Sequence, residues 1–419
     1  MGWGIPAEES CLKLRGLMST APETDAAIAH LIGWLEQGGA QVSPKMQVVS
    51  TGGGERGVFA REDIAPGELL LRLPRQRLVT VPDARATELG RLIEAKTGFQ
   101  DPNLYLSVFL LQERERGDAS PWKPFVDVQP PSFPTHPFSF QERDFALLKG
   151  SFVVELIKLQ RKGLEEDHAY LSQQIPGFAR FSFDDYLWAH LAVLTRVFGA
   201  RLNGNQVICL APFLDMMNDG IPWNCTWGWS PDGESLELKS GSAIAQGKEL
   251  RITYGANSNL YLLRNYGFVH ELNPNNVVMV PIEFSKEDPL MDEKRKLLGI
   301  KDLSFQHCFS LPLKPDAQRI IELFSELRIL HAQAEEMALL QAAPDPLARA
   351  REPLSQRNEL QVLRALGTSC AQRLALYETS VEEDTRLLRQ ENLSWTARNC
   401  ILLRQGEKQI LQVFAQAGG

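Results

Sequence analysis

The order of residue patterns along this chain predicts an α+β fold, with sheets in the first two thirds and helices closing the chain. Three observations carry that expectation. Short β-branched and alternating segments cluster at 46–81 and again at 206–254, a largely helical stretch of over a hundred residues separates them, and the last third has almost purely helical spacing. Two half-sheets this far apart in sequence must meet in space, because each alone leaves open edges.

Each element follows from its residues. Residues 24–38 (TDAAIAHLIGWLEQG) read as an amphipathic helix with Thr24 or Asp25 as cap and Gly38 and Gly39 as its end. MQVVS, GVFAREDI and ELLLRLP are strands between glycine and proline punctuation. LYLSVFLLQERERG and SFDDYLWAHLAVLTRVF are helices, the second capped by Ser182, and PWKPFVDVQPPSFPTHPFSF is a proline-rich connection. After LTR an irregular segment, GARLNGN, is expected, then the strands QVICLAPF, CTWGW, SLELKS and ELRITYG. Ser258 caps a short helix, NLYLLRNY, which stops at Gly267. Ile320, Ile321, Phe324, Leu327 and Leu330 recur at helical spacing, APDPLAR breaks the pattern near 343–349, and WTARNCILLRQGEKQILQVFAQ is the last helix. Its apolar stripe is expected to pack on neighbouring helices.

Composition bounds the function. The 419 residues suggest two or three domains, and 44% hydrophobic with 23% charged residues is ordinary globular usage. A net charge of −8 argues against broad binding to nucleic acid, which needs a basic face, and leaves room for a basic peptide partner. The six cysteines form no CxxC pair and the seven histidines no HxxxH pattern, so neither a zinc cluster nor another metal site is expected. No apolar run has the length of a membrane helix, and MGWGIPAEESC lacks the pattern of a secretory signal, so the expected setting is cytoplasmic or nuclear.

Four segments carry chemistry-bearing residues. STGGGERGVFA (50–60) packs four glycines into 52–57, which frees the backbone for a plain hairpin turn or for close approach to a ligand. In LTRVFGAR the planar fork of Arg196 suits a carboxylate. In APFLDMMNDG the polar Asp215 and Asn218 stand among apolar Phe213, Leu214, Met216 and Met217, and must find partners there. In ELRITYGANSNLYLLRNYGF, Tyr254 and Tyr266 stand twelve positions apart on two elements.

Taken together and in this order, the segments resemble the SET-domain protein methyltransferases, in the branch typified by the Rubisco large-subunit lysine methyltransferase. GGGERGVFAREDIAPGELLLRLP resembles its glycine-rich opening, PFLDMMND its D-x-x-N-H segment, and ITYGANSNLYLLRNYGFV its Y-G to Y-G-F-V ending. YETSVEEDTRLL and ARNCILLRQGEKQIL are similar to its helical substrate-binding domain. The resemblance implies a β-rich SET core with pseudoknot-like threading, a helical insert and an all-α C-terminal domain. On that pattern residues 1–45 are a helical lead-in, 46–84 and 206–285 the two parts of the core, 85–205 the insert, and 286–419 the substrate-binding domain.

The resemblance also implies S-adenosyl-L-methionine as methyl donor and a lysine side chain of a protein as acceptor. By family analogy that protein is non-histone, with ribosomal and translation proteins as candidate classes, and neither nucleic acid nor membrane is a partner. Residue by residue, Gly54, Glu55, Arg56 and Gly57 match the cofactor cradle. Arg196 matches the carboxylate partner, Asn218 a residue near the cofactor's amino group or adenine, and Asp215 the junction of cofactor and substrate channel. Tyr254 is the expected catalytic residue, also touching cofactor, and Tyr266 and Phe268 are expected walls of a lysine channel. One departure is Asp219, where the family has histidine; placed with the cofactor by the resemblance, it puts affinity in question. The alternative reading is a catalytically weak SET protein that acts as a binding module. A related branch that methylates histidine on actin lacks the tyrosine of YGF, which is present here as Tyr266, so the resemblance favours lysine.

Overall fold

The computed structural model describes residues 22–52, 55–283, 287–300, 306–314 and 317–416. It forms two compact units, one of Met1–Phe133 with Arg161–Gly255, the other of Pro134–Gln160 with Ala256–Gly419. One of the three boundaries along the chain, Gln160 to Arg161, falls inside a helix, Val153–Gln174.

In the first unit the chain runs through β1 (Gln41–Val42), β2 (Met46–Gly52), β3 (Glu55–Ala60), β4 (Leu69–Pro74) and β5 (Val79–Thr80) before the helical stretch. It continues with β6 (Val197–Leu202), β7 (Asn205–Leu210), β8 (Asn218–Asp219), β9 (Cys225–Trp229), β10 (Ser235–Ser240) and β11 (Glu249–Ile252) after it. The sheets have the orders β1-β4-β10-β9, β2-β3-β11-β8 and β5-β7-β6. Each one pairs a strand from before the helical stretch with one from after it, which is the closure the two split blocks demanded. In the first sheet Arg72 faces Glu237 across the ladder and binds it at 2.6 Å, while Leu71 and Leu73 point into the core. In the second sheet β8 and β11 run parallel, with Arg251 opposite Asn218 and Ile252 opposite Asp219.

Two expectations for this unit are corrected. The first helix spans Pro22–Gln37, so Thr24 and Asp25 lie inside it rather than at its cap. Pro22 suits the first turn, where a missing N–H leaves no bond unmade. The helix expected to run through Phe198 stops at Leu194, and GARLNGN belongs to a β-hairpin: β6 and β7 pair in register around Asn203 and Gly204, whose φ values are 51° and 81°. An Asn-Gly pair with both residues at positive φ matches the twist of the strands it joins. That signal stood in the sequence. At the other end of the same helix Ser182 and Asp185 form a reciprocal capping box, as the Ser182 reading required. Pro102–Arg116, buried along most of its length, packs on this helix.

In the second unit β12 (Val277–Glu283) and β13 (Gln306–Pro312) form an antiparallel pair, and Ala317–Leu330, Ala334–Ala342, Gln356–Leu374, Val381–Leu387 and Trp395–Gln416 are helices. Among the described residues, the regular structure of the C-terminal region is thus helical apart from β13. That strand survives because Phe309 and Leu311 fill the same core as Val278, Val280, Leu327, Leu366, Ile410 and Leu411. Of the apolar positions at 320–330, Leu327 and Leu330 are buried, Ile320 and Phe324 pack at the core's edge, and Ile321 faces solvent. Leu323 goes inward, which a 3.6-residue period from Leu327 dictates. The break expected over APDPLAR is confined to residues 343–345, since Pro346–Ala350 is a short helix capped by Asp345.

The last helix also buries ionisable groups. Glu407 is fully enclosed and accepts hydrogen bonds from the Ser151 and Tyr377 hydroxyls, both at 2.9 Å. Burial pushes its carboxyl up to about 7 from 4.5, against the pull of those two hydroxyls and of Arg373. The folded chain therefore holds a proton that the unfolded chain releases above pH 4.5. Stability is expected to be greatest below that pH for this group and to fall by about 3 kcal/mol as pH rises through 7. Glu407→Gln should flatten this slope, measured as urea unfolding free energies of mutant and wild type at pH 5 and pH 8. Equal slopes in both proteins would mean that the carboxyl is ionised in the native state.

Candidate functional site

The glycine-rich stretch closes the β2–β3 hairpin, in which Ser50 pairs with Arg56 and Gly52 with Glu55. Gly54 lies outside the described residues, as does the side chain of Glu55. Gly57 has a reason to lack a side chain: a Cβ there would stand 2.5 Å from Glu249 Oε1 and 3.1 Å from Asn218 Nδ2. The close approach brings β3 within reach of side chains on β8 and β11.

The second segment is a tight turn. Phe213 has φ of +70°, a left-handed backbone that a bulky residue rarely adopts, and its ring is buried. The strain is held by successive hydrogen bonds from Asp215 N to Ala211 O, Met216 N to Phe213 O and Met217 N to Leu214 O. The turn drives Asp215 inward, where its side chain is fully enclosed. Gln129 Nε2 donates to Asp215 Oδ2 at 3.2 Å, and Arg196 Nη1 donates to the Asp215 carbonyl at 2.6 Å and lies 3.8 Å from Oδ2.

Arg56 completes this cluster electrostatically. Burial, with the like charge of Arg196, pushes its guanidinium down to about 10, and Asp215 opposes the shift. Arg56 therefore stays a cation at neutral pH, and the cluster sets two guanidinium side chains beside one carboxyl side chain. Arg56 Nε and Nη2, Arg196 Nε and Asp215 Oδ1 are buried and have no hydrogen-bond partner among the described residues. Buried polar groups left this way are costly, and several in one place mark a site built for a polar ligand. Three donor atoms and one carboxylate oxygen are the complement of a zwitterion, such as the carboxylate and ammonium of an amino acid.

Asn218 and Tyr254 come from the neighbouring strands. Asn218 Nδ2 donates to Arg56 O at 3.0 Å and to Glu249 Oε1 at 2.8 Å, so one amide staples the glycine hairpin to β8 and β11. Glu249 is held in turn by Arg251 at 2.8 Å. Asp219 Oδ1 accepts from the Tyr254 backbone N–H at 2.9 Å, and the Tyr254 hydroxyl donates to Met217 O at 2.8 Å. Arg56, Gly57, Arg196, Asp215, Asn218, Asp219 and Tyr254 all belong to the first unit.

Tyr266 and Phe268 belong to the second unit. Ser258 accepts from Tyr261 N and caps the helix Asn259–Tyr266, which Gly267 ends at φ +80°. A Cβ on Gly267 would stand 2.6 Å from the Thr135 carbonyl, so the backbone passes too closely for another residue. The stop sets Tyr261, Tyr266, Phe268 and His270 in a row of rings, with successive centroids 6.4, 6.0 and 5.4 Å apart.

Two contributors have no counterpart among the expected residues. Glu249 opens ELRITYG, and the alternation of that strand places it on the same side as Arg251. Gln129 sits in the proline-rich connection, where no local pattern points to Asp215.

Comparison with known proteins bears on the fold and on the order of the domains. A SET domain matches residues 55–255, and a Rubisco LSMT substrate-binding domain matches residues 285–411. An actin-histidine N-methyltransferase of Danio rerio is 29% identical over 387 residues, covering 86% of this chain and 63% of the relative. The Homo sapiens protein of the same name is 28% identical, covering 91% of this chain and 66% of the relative. The chain thus spans a little under two thirds of the length of these relatives. Among solved structures, the SET domain of LSMT bound to MeLysine and AdoHcy has a TM-score of 0.81 at 22% identity, covering 95% of this chain and 91% of that one. Rubisco LSMT bound to AdoMet has a TM-score of 0.78 at 22% identity, with the same coverage. The fold and both domain matches agree with the motif order in the sequence: this chain is a SET-domain protein carrying a Rubisco LSMT substrate-binding domain.

Proposed function

We propose that the protein transfers a methyl group from S-adenosyl-L-methionine to a side-chain nitrogen of a protein, with lysine as the acceptor. The observation that carries this reading is the buried cluster of Arg56, Arg196 and Asp215, whose orphaned donors and carboxylate oxygen suit the amino-acid end of that cofactor. Relatives of the same fold are described as bound to AdoMet and AdoHcy. The cofactor supplies a methyl group already activated on a sulfonium. Arg56 and Arg196 would hold its carboxylate and Asp215 its ammonium. Gly54, Glu55, Gly57 and Asn218 would line the rest.

The chain's own groups do the remaining work. A lysine amine has a pKa near about 10.4 and must lose its proton to attack, which a dry channel next to a cationic group favours. The Tyr254 hydroxyl would orient that amine, and alignment supplies much of the rate. Within the second unit, the rings of Tyr266 and Phe268 lie 6.0 Å apart and are of a kind that suits a lysine stem and ammonium.

The curated relatives favour a second reading, histidine as acceptor, since those at 27–29% identity are named actin-histidine N-methyltransferases. A neutral imidazole needs no deprotonation at pH 7, so the two readings differ in what the channel must do. Incubation with radiolabelled S-adenosylmethionine and fractionated cell extract, followed by amino-acid analysis of the labelled band, separates them. Label in methyl-lysine supports the proposal, label in methyl-histidine replaces it with the second reading, and cofactor binding without transfer in any extract leaves a binding module.

Asn218→Ala is expected to weaken cofactor binding roughly tenfold, because the hairpin carbonyl of Arg56 and the carboxylate of Glu249 lose their shared donor. Calorimetric affinity equal to wild type would count against the assigned pocket.

A further inference from the structure

Asp219 stands where the family motif has histidine, and its side chain makes a contact within the chain itself. Its Oδ1 accepts the backbone N–H of Tyr254 at 2.9 Å. That amide lies just beyond the end of β11, whose last ladder partner on β8 is Asp219 itself, opposite Ile252. Beside this pair Gly220 N donates to Ile252 O and Asn224 N to Arg251 O, both at 3.1 Å. The Asp219 side chain thus extends the pairing by two residues past the last strand position, where Thr253 and Tyr254 are no longer in the sheet. At its other end Tyr254 is tied by its hydroxyl to Met217 O at 2.8 Å. The ring is fixed at both ends by the three residues 217–219, with Asp219 holding the backbone end.

We infer that Asp219 is a positioning residue for Tyr254, replacing the family's histidine with a carboxylate that anchors the tyrosine's backbone. It acts through Tyr254 and not on the cofactor. The inference rests on the proposed methyl transfer for its kinetic consequence, though not for its geometry. It distinguishes two kinds of outcome. A cofactor ligand, when removed, raises the dissociation constant; a positioning residue, when removed, lowers kcat and leaves that constant alone. Asn at this position keeps an oxygen in the accepting place, whereas Ala does not.

The test uses the full chain as wild type, Asp219→Ala and Asp219→Asn. Hydrogen exchange by mass spectrometry reads the amide of Tyr254, calorimetry reads S-adenosylmethionine affinity, and the labelling assay reads kcat. Asp219→Ala is expected to speed exchange at Tyr254 at least tenfold and to cut kcat at least tenfold, with cofactor affinity within about twofold of wild type. Asp219→Asn is expected to recover most of both losses. Unaltered exchange at Tyr254 in Asp219→Ala overturns the inference, and so does a lowered cofactor affinity with kcat intact. If wild type itself transfers no methyl group while exchange still separates Ala from Asn, the methyl-transfer reading falls and the positioning role stands. Should Asp219→Ala fail to fold, Asp219→Leu in the same exchange assay replaces it, its side chain having no acceptor.

Discussion

Tyr254→Phe is expected to lower methyl transfer by about tenfold to a thousandfold while cofactor affinity and thermal stability stay near wild type. The substitution removes one oxygen and keeps the ring. The backbone N–H still reaches Asp219, and the sheet pairing of Glu249–Ile252 does not involve the side chain. What goes is the hydroxyl now bonded to Met217 O, a donor held in one place by the turn at 213–217. Groups preorganised in this way stabilise a transition state without reorganising at the moment of reaction, so their loss falls on kcat. Single-turnover labelling beside calorimetry makes the comparison. A rate equal to wild type would take Tyr254 out of the mechanism, and a parallel loss of cofactor affinity would make it a binding residue.

The largest expected effect on stability lies elsewhere. Asp384 is fully buried and accepts from Arg404 Nε at 3.0 Å and Nη2 at 2.7 Å, with Lys408 Nζ at 2.6 Å from its other oxygen. Arg404 and Lys408 are themselves buried on the last helix. Thr379 donates to the same carboxylate, and Lys408 also donates to the Thr379 and Ser380 carbonyls, so residues 379–384 are clasped to that helix. Asp384→Ala leaves two buried cations with no anion, which costs about 3–5 kcal/mol and lowers Tm by roughly 10 °C. Asp384→Asn keeps the volume and one acceptor and should do less harm at the same net charge. Differential scanning calorimetry of both variants checks this. A drop under about 3 °C for Asp384→Ala would mean that solvent reaches the cations.

Local features were readable before any coordinates. Ser182 and Ser258 announce helix starts through the residues three positions on, and Gly267 announces a stop through its own freedom at positive φ. The same reading passed over the Asn203–Gly204 hairpin signal, because the apolar run before it looked like more helix. It also passed over β12 and β13, whose strand character shows only when Phe309 and Leu311 meet the helices at 356–374 and 395–416.

The candidate site divides in the same way. Arg196, Asp215, Asn218 and Tyr254 are polar residues within motifs, visible by their setting. Gln129, Glu249 and the actual partner of Asp219 are not, because each is defined by a residue on another segment. Sequence alone determined which residue types were available and in what order: two strand blocks, a helical stretch between them, a helical end, and four polar segments. Tertiary structure alone decided that Asn218 staples Arg56 across 162 positions and that Gln129 reaches Asp215 across 86. Caps and turns depend on neighbours within one helical turn, so a sequence specifies them nearly alone. Contacts of that range depend on which strands pair and in what register, and the whole core sets that register by burying one face of each sheet.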